Sequence, residues 1–512
     1  MNLSQADISK NIKALKDFMR QKDIEAFYIS TFDKFMTEYT PLEECHRYYL
    51  TGFTGSTADV LVLRDGKVKL YVDGRYWEQA DLEVDKKEVE VVRSIKANTQ
   101  ELLDDLHKYK IRKMAIEGER TTYNFYQKLQ AKCMLHIFST TDLQSIIPFQ
   151  KFTTPKPINF IPRKHRGSDT KEKLKRINLN SDEAYFVSAL DSVAWISNCR
   201  GYHMPNQSSF MARALVTSKK VYLFVEPEIQ ISAEALKQDE LSFIKVTDAQ
   251  FSAELQNLQN KLNLKTIRLD SAQLSCADYV MLENIFHKEN LIQTPDALTL
   301  FHCFKEREEM EEIRRSFNLA NQAIFNTIMW TKNSVKEGKK ISEKDLALQT
   351  SAEYKKTGAF DQSFNTIAGV GPNSSIIHYG SASEKIMIKK NDFVLLDSGG
   401  YYEGGFATDT TRTFLADSST KPDPKMKKIF TLVLKGLLNL QNSRFPDGIS
   451  GAALAGIACA PIYQEGFNFN HGVGHGVGIH VHEGRIRISS TLRIPMRSGQ
   501  LFSIEPDIYI PR

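Results

Sequence analysis

The segment HGVGHGVGIHVHEG, residues 471–484, packs four histidines and five glycines into fourteen positions of a chain that has 12 histidines in all. Glycine weakens an isolated strand, because it offers no side chain to pack and loses the most conformational freedom on ordering. A stretch like this becomes ordered where other backbone must come so close that a Cβ atom would be in the way. The histidines add a second demand. A flexible loop has no use for them, and a polyhistidine-like metal tract would not alternate in this way, so groups elsewhere in the chain are expected to meet them.

Acids that could do so stand in two other segments. DFVLLDSGGYYEGGFATDTTRTF (392–414) reads as two strands around a Gly-rich turn. Asp397 ends an apolar run, where a carboxylate is costly to bury without a cation or donors. Asp409 opens the β-branched stretch DTTRTF. In QLFSIEPD, Glu505 follows the strand-like FSI. Singly, each acid reads as a cap or turn residue. Taken with one histidine, Asp397, Asp409 and Glu505 make the mixed oxygen and nitrogen set that holds paired divalent ions, which lower the pKa of a shared water.

The rest of the chain bounds the classes of answer. At 512 residues it exceeds one ordinary core, and three regions separate on pattern: 1–160, 161–303 and 304–512. The first opens with an amphipathic helix leading into a strand, and later gives the strand-like ADVLVLRD and KVKLYVD. The second gives AYFVSALDSVAWISNCRG and a strand hairpin from ARALVT and KKVYLFVE. The third opens with a charged helix whose Ile313, Phe317, Ala320 and Ile324 share a face. RYYLTGFTGSTADVLVLRDGKVKLYVD and VAWISNCRGYHMPNQSSFMARALVTSKKVYLFVE repeat one order: aromatic strand, Gly-containing turn, apolar strand, Lys-rich turn, closing strand. That echo predicts a duplicated α/β domain.

Sixty-seven basic against 62 acidic residues leave a net charge of only +5, and no basic block is dense enough for a nucleic-acid surface. The most basic stretch, KHRGSDTKEKLKR (164–176), reads as a solvated linker or helix face. The six cysteines are scattered without CxxC spacing, which indicates neither a disulfide framework nor a thiolate zinc site. The N-terminus lacks the apolar region of a signal peptide, and no apolar run is long enough to span a membrane. A cytoplasmic protein is expected.

Six motifs in order, IIHYG (376–380), LLDSGG (395–400), TDTTRTF (408–414), HGVGHGVG (471–478), HVHEG (480–484) and SIEPD (503–507), resemble the aminopeptidase P group of pita-bread metallopeptidases. YLTGFTGS (49–56), DGRYW (73–77) and LDSVAW (190–195) are similar to the N-terminal signatures of its long form. The resemblance implies a mixed α/β (α+β) chain: two creatinase-like N-terminal domains, then a pita-bread catalytic domain. It implies metal ligation by Asp397, Asp409, His475 and Glu505, with two divalent ions, manganese first and cobalt or zinc as alternatives. His378, His471 and His482 match the family's substrate-contacting and proton-handling histidines. Arg75 matches an arginine that reaches a substrate or a neighbouring subunit, and a homodimer is implied. His480 has no assigned role and reads as a strand residue facing away.

The implied reaction removes the N-terminal residue from peptides with proline second, whose scissile bond is a tertiary amide lacking N–H. A dipeptidase for X–Pro dipeptides on the same fold is the near alternative; two domains ahead of the catalytic one favour the aminopeptidase. Two departures from the family pattern bear on the site. The aspartates are twelve positions apart instead of the family's eleven, so the turn YYEGGF or a bulge must absorb one residue if both carboxylates are to share a face. The family also continues past IYIPR to a strand bearing a final glutamate that bridges both metals. No residue here takes that position, so the catalytic domain is expected to lack its last strands and to hold one ion weakly. A non-catalytic module that binds peptides or partners without metal is the reading from a different class.

Overall fold

The computed structural model describes residues 3–150, 152, 156–295 and 297–510. Parts of the Pro-punctuated stretch 147–162 and the last two residues of IYIPR therefore lie outside the described residues. The chain forms two compact units, one of Met1–Phe160, Thr170–Pro205 and Phe210–Ala297, the other of Ile161–Asp169, Asn206–Ser209 and Leu298–Arg512. Among the described residues no helix is long and apolar enough to cross a membrane.

The first unit starts as expected. Helix Gln5–Gln21 opens on a capping box in which Ser4 and Asp7 satisfy each other's backbone N–H groups. Its Ile8, Ile12, Leu15 and Met19 recur at helical spacing and are buried against the first sheet's core. The strand Ala26–Ile29 follows, and every residue in it is buried.

Two six-stranded sheets form this unit, and they are wired alike. The first has Ala26–Ile29 antiparallel to Asp59–Leu63 on one side and parallel to Lys113–Glu117 on the other. The second repeats this around Glu183–Val187, antiparallel to Arg213–Thr217 and parallel to Thr266–Leu269. In both, the order continues outward through one more antiparallel and two parallel pairings. The duplication read from the sequence is thus present strand for strand. Its opening element is different from the one expected. The aromatic stretches are helices, His46–Thr51 and Leu190–Ser197, each ended by a left-handed residue, Gly52 (φ 73°) and Asn198 (φ 55°). Left-handed caps of this kind stop a helix within one residue, whatever the strand preference of the aromatics before them.

The basic stretch 164–176 is in part the solvated helix face expected, with Lys171, Lys175 and Arg176 exposed on helix Thr170–Ile177, but His165, Arg166 and Lys173 are buried. Lys173 is 1% exposed; its ammonium donates to the Trp195 carbonyl (2.6 Å) and Asn198 Oδ1 (2.5 Å) and sits over the Trp195 ring. In the second unit, Arg166 is buried and donates to the carbonyls of Ile161 and Gly167. His165 lies between Glu312 and Glu403, 2.9 Å from each. Charges on these side chains are consumed by carbonyls and acids, so composition alone misplaced them.

The second unit is built on helix Arg307–Lys336 and helix Glu343–Lys356. They cover one face of a three-stranded antiparallel sheet, Ile367–Val370, Phe393–Ser398 and Thr410–Leu415. Ile313, Ala320 and Ile324 are buried as the helical pattern required, whereas Phe317 is only half-buried and Ser316 takes the inward position. Helices Pro424–Gln441 and Gly451–Tyr463 follow, then the short ladder of Gly474–Gly476 with Glu483–Ile488.

Candidate metal centre

In the strand Phe393–Ser398, Val394, Leu396 and Ser398 point into the core. Alternation therefore turns Asp397, with Phe393 and Leu395, to the opposite face. Antiparallel pairing sets Asp397 opposite Thr411. Asp409 stands two residues before Thr411, so both aspartates occupy one face as diagonal neighbours. The ladder is unbroken from Phe393–Leu415 to Ser398–Thr410, and the twelve-residue interval is absorbed in the turn, not by a bulge. That turn closes with Gly405 N–H on the Tyr402 carbonyl (2.8 Å), and Gly405 sits at φ 65°, where a side chain would strain the backbone.

His475 comes from the short strand Gly474–Gly476. Close approach explains the flanking glycines: a Cβ at Gly474 would lie 2.0 Å from the Ser503 carbonyl oxygen, and one at Gly478 would lie 2.0 Å from Glu483 Oε1. Glu505 arrives on an irregular run in which Phe502 bridges Gly476 and, before it, Gln500 bridges Phe304. The strand expected at FSI is interrupted because the His475 N–H donates to Ser503 Oγ (3.0 Å) instead of a carbonyl. Ser503 N–H to the His475 carbonyl (2.9 Å) and Glu505 N–H to the Val473 carbonyl (2.7 Å) still hold the two segments side by side. The Ser503 hydroxyl donates to Glu505 Oε1 (2.7 Å) and so orients the carboxylate.

One ligand atom each from Asp409, His475 and Glu505 falls within 4.8 Å of the others. His475 Nε2 is 3.2 Å from Asp409 Oδ2 and 2.9 Å from Glu505 Oε1. Its Nδ1 faces the Gly476 carbonyl at 2.9 Å, which leaves Nε2 for the acids. A metal-binding imidazole is oriented in the same way. Burial pushes the Asp397 carboxyl well above the usual carboxylate range, and the charges of Asp409 and Glu505 push it further, against the Thr411 hydroxyl. Burial would favour a neutral His475, yet Glu505 and Asp409 drive its pKa well up. Burial would likewise raise Glu505, yet the neighbouring His475 holds it down at about 2.

A single imidazole thus meets two acids, Asp409 and Glu505, while the third, Asp397, adds like charge and has its Oδ1 buried without a hydrogen-bond partner. Excess negative charge, an unused buried acceptor and an imidazole nitrogen fixed toward them together fit a hard divalent cation.

The other expected residues distribute around this cluster or away from it. The His482 ring stands edge-on to that of His475, with centroids 4.4 Å apart. His471 is held at both nitrogens, Nε2 by the Tyr509 hydroxyl (3.0 Å) and Nδ1 by the Gly472 carbonyl (2.7 Å). His378 is half-buried on the irregular stretch after the 3-10 turn Gly371–Ser375. Arg75 belongs to the first unit, where its Nε and Nη2 both donate to the Asp73 carboxylate at 2.9 Å. His480 is not a strand residue facing away. It lies in the bend between the two short strands, its carbonyl accepting from Gly478 (3.0 Å) and its Nδ1 from the His482 N–H (3.2 Å). Ser503, Tyr509 and Thr411 were not singled out from the sequence. Ser503 and Tyr509 keep even spacing from Glu505, and cross-strand pairing gives Thr411, so period-2 reasoning could have found all three.

The pattern that describes metallopeptidase family M24 matches residues 311–512. Two patterns for the creatinase/prolidase N-terminal domain match residues 11–148 and 150–309. A probable Xaa-Pro aminopeptidase P of Laccaria bicolor is 28% identical over 550 aligned residues, covering 98% of this chain and 79% of that one. Its counterpart in Colletotrichum graminicola is 26% identical, covering 99% and 85%. Among solved structures, the X-prolyl aminopeptidase of Caenorhabditis elegans, described as a cytosolic enzyme with a di-nuclear active site, superposes with a TM-score of 0.87 at 23% identity, covering 98% and 85%. The prolidase of Pyrococcus horikoshii OT3 gives a TM-score of 0.53 at 26% identity, covering 67% and 90%.

Proposed function

Because the chain belongs to metallopeptidase family M24 and carries two creatinase/prolidase N-terminal domains, we propose that it is a metal-dependent aminopeptidase releasing the N-terminal residue from peptides with proline second. The observation that carries this reading is the convergence of Asp409, His475 and Glu505 beside the unpartnered oxygen of Asp397. These four residues would hold two divalent ions, for which we favour manganese on the oxygen-rich ligand set. Bound there, the ions supply Lewis acidity toward the scissile carbonyl and toward water.

The chain's own residues do the rest. The cluster of these residues with its ions would also anchor the substrate's free N-terminal amine. We assign proton exchange with the reacting amide, or donation to its oxygen, to His482, which stands against the His475 ring, and to His471, whose Nε2 would exchange the Tyr509 hydroxyl for substrate. An X–Pro leaving nitrogen carries no hydrogen of its own, so it must receive a proton on departure, and a positioned imidazole can give one. We assign His378 a substrate contact from its own loop and Arg75 a contact to substrate or a second subunit. A homodimer in the cytoplasm completes the proposal.

The test is hydrolysis of a tripeptide with proline second, beside the X–Pro dipeptide and a tripeptide without proline, with and without chelator. Chelator-sensitive release of the first residue from the X–Pro tripeptide is expected. Cleavage of the dipeptide alone would turn the reading to a dipeptidase, and cleavage indifferent to chelator and to His475→Ala would overturn it.

A further inference from the structure

Glu343 is the first residue of helix Glu343–Lys356, and its side chain is 0% exposed. It has no ion-pair partner among the described residues. Its charge is met entirely by donors from one irregular stretch, 370–383. Oε1 accepts from the Val370 N–H (2.9 Å) and from Asn373 Nδ2 (3.2 Å). Oε2 accepts from the Tyr379 hydroxyl (2.8 Å), Asn373 Nδ2 (3.0 Å) and the Ser383 N–H (3.2 Å). The helix's first amides complete the clamp, Glu343 N–H on the Ile386 carbonyl and Lys344 N–H on that of Ser383, both at 3.1 Å. The unsatisfied N–H groups of the helix start also favour a carboxylate here.

A buried carboxylate without a cation is tolerated only when several donors are aimed at it, and each of those donors is fixed in return. Here the fixed points are residues 370, 373, 379 and 383, on both sides of His378. Tyr379, the residue directly after His378, is held twice, since its hydroxyl also accepts from Asn373 Nδ2 (2.9 Å). After Val370, the last residue of its strand, the described residues to 383 have the turn Gly371–Ser375 and the turn bonds of Ile376 N–H to Asn373 and Tyr379 N–H to Ile376, so Glu343 is the side chain that ties these turns together.

We infer that Glu343 is a positioning residue for His378, holding from behind the loop that presents this histidine to the substrate. The inference rests on the substrate role proposed for His378. A displacement of about 1 Å in a substrate-contacting group is enough to cost on the order of 10²-fold in turnover.

The test combines Glu343→Gln, His378→Ala, the double variant and Tyr379→Phe in the full chain. Each is assayed on the X–Pro tripeptide, for bound metal, and for amide hydrogen exchange in the metal-free protein. Glu343→Gln keeps the volume but turns an N–H₂ toward groups that are themselves donors. Expected are a loss of about 10²-fold in kcat for Glu343→Gln, unchanged metal content, and faster exchange confined to 370–383. Tyr379→Phe, which removes one anchor without burying a new donor, shifts both readouts the same way by less, and serves alone if Glu343→Gln does not fold. In the double variant the loss should equal that of His378→Ala alone. Losses that multiply, or wild-type kcat and exchange in Glu343→Gln and Tyr379→Phe while His378→Ala is impaired, would overturn the inference. Full activity of His378→Ala would instead overturn the role of His378, and the inference with it.

Discussion

Glu117, in the first unit, and Asp397, in the second, are both acids near the end of a strand, and their surroundings are opposite. Glu117 is 1% exposed and lies against His46 Nδ1 at 3.2 Å and the Arg120 guanidinium, Nε at 3.1 Å. Burial would raise its pKa, but His46 and Arg120 hold it down at about 2. Asp397 faces Asp409 and Glu505, and the same burial is reinforced by like charge. One acid closes a structural ion pair within the protein. Both leave one oxygen without a hydrogen bond, but Glu117 Oε1 lies 3.1 Å from Arg120 Nε, whereas Asp397 faces further acids, which is costly unless something outside the chain supplies the cation.

Substitutions should separate the two cases. At the metal centre, Asp409→Asn should lower turnover of the X–Pro tripeptide by about 10³-fold or more, with loss of bound metal and little change in thermal midpoint in chelator. Glu117→Gln should do the reverse, costing about 3 kcal/mol of stability by breaking a buried pair while metal content is kept. The contrast fails if both variants move the same readout.

A pH series sharpens the comparison, because a lowered and a raised pKa act in opposite directions. The Glu117 carboxyl is lowered from 4.5, so its stabilisation is full above that value and is lost as pH falls toward 2. The difference between wild type and Glu117→Gln in urea unfolding should shrink over that window. Asp59, also in the first unit, is raised by burial from 3.8 to about 6 despite the Tyr28 hydroxyl at 2.6 Å. Its protonated form is the one the fold prefers, so wild type should lose up to about 3 kcal/mol between pH 4 and 6 relative to Asp59→Asn. Smallest of all, His482→Ala should reduce kcat by about 10–10²-fold with metal retained, since it is placed beside His475 and outside the ligand set.

Much of this was legible because chemistry and periodicity agreed. An acid at the end of VLL, glycines alternating with histidine, and β-branched TTRTF each have few structural uses, and together they converge on one face. The helix Gln5–Gln21 and the hairpin of Arg213–Thr217 with Val221–Val225 followed from spacing in the same way. The failures have two causes. RYYLTGF and VAWISN read as strands from their aromatics, yet left-handed caps at Gly52 and Asn198 make each a short helix. Lys173 and His165 read as solvated because charge is usually exposed, but distant carbonyls and acids receive them. FSI lost its ladder to a serine hydroxyl. For Lys173, His165 and FSI the deciding partner lies far along the chain, where local pattern carries no information, whereas the caps Gly52 and Asn198 stand within the stretches they end.

Asp397 and Glu117 are finally distinguished by what they bind. Elemental analysis of manganese-treated, gel-filtered protein should find divalent metal retained by wild type and by Glu117→Gln and lost or sharply reduced in Asp397→Asn. Equal retention in Asp397→Asn, or none in wild type, would contradict a metal centre built on Asp397, Asp409, His475 and Glu505.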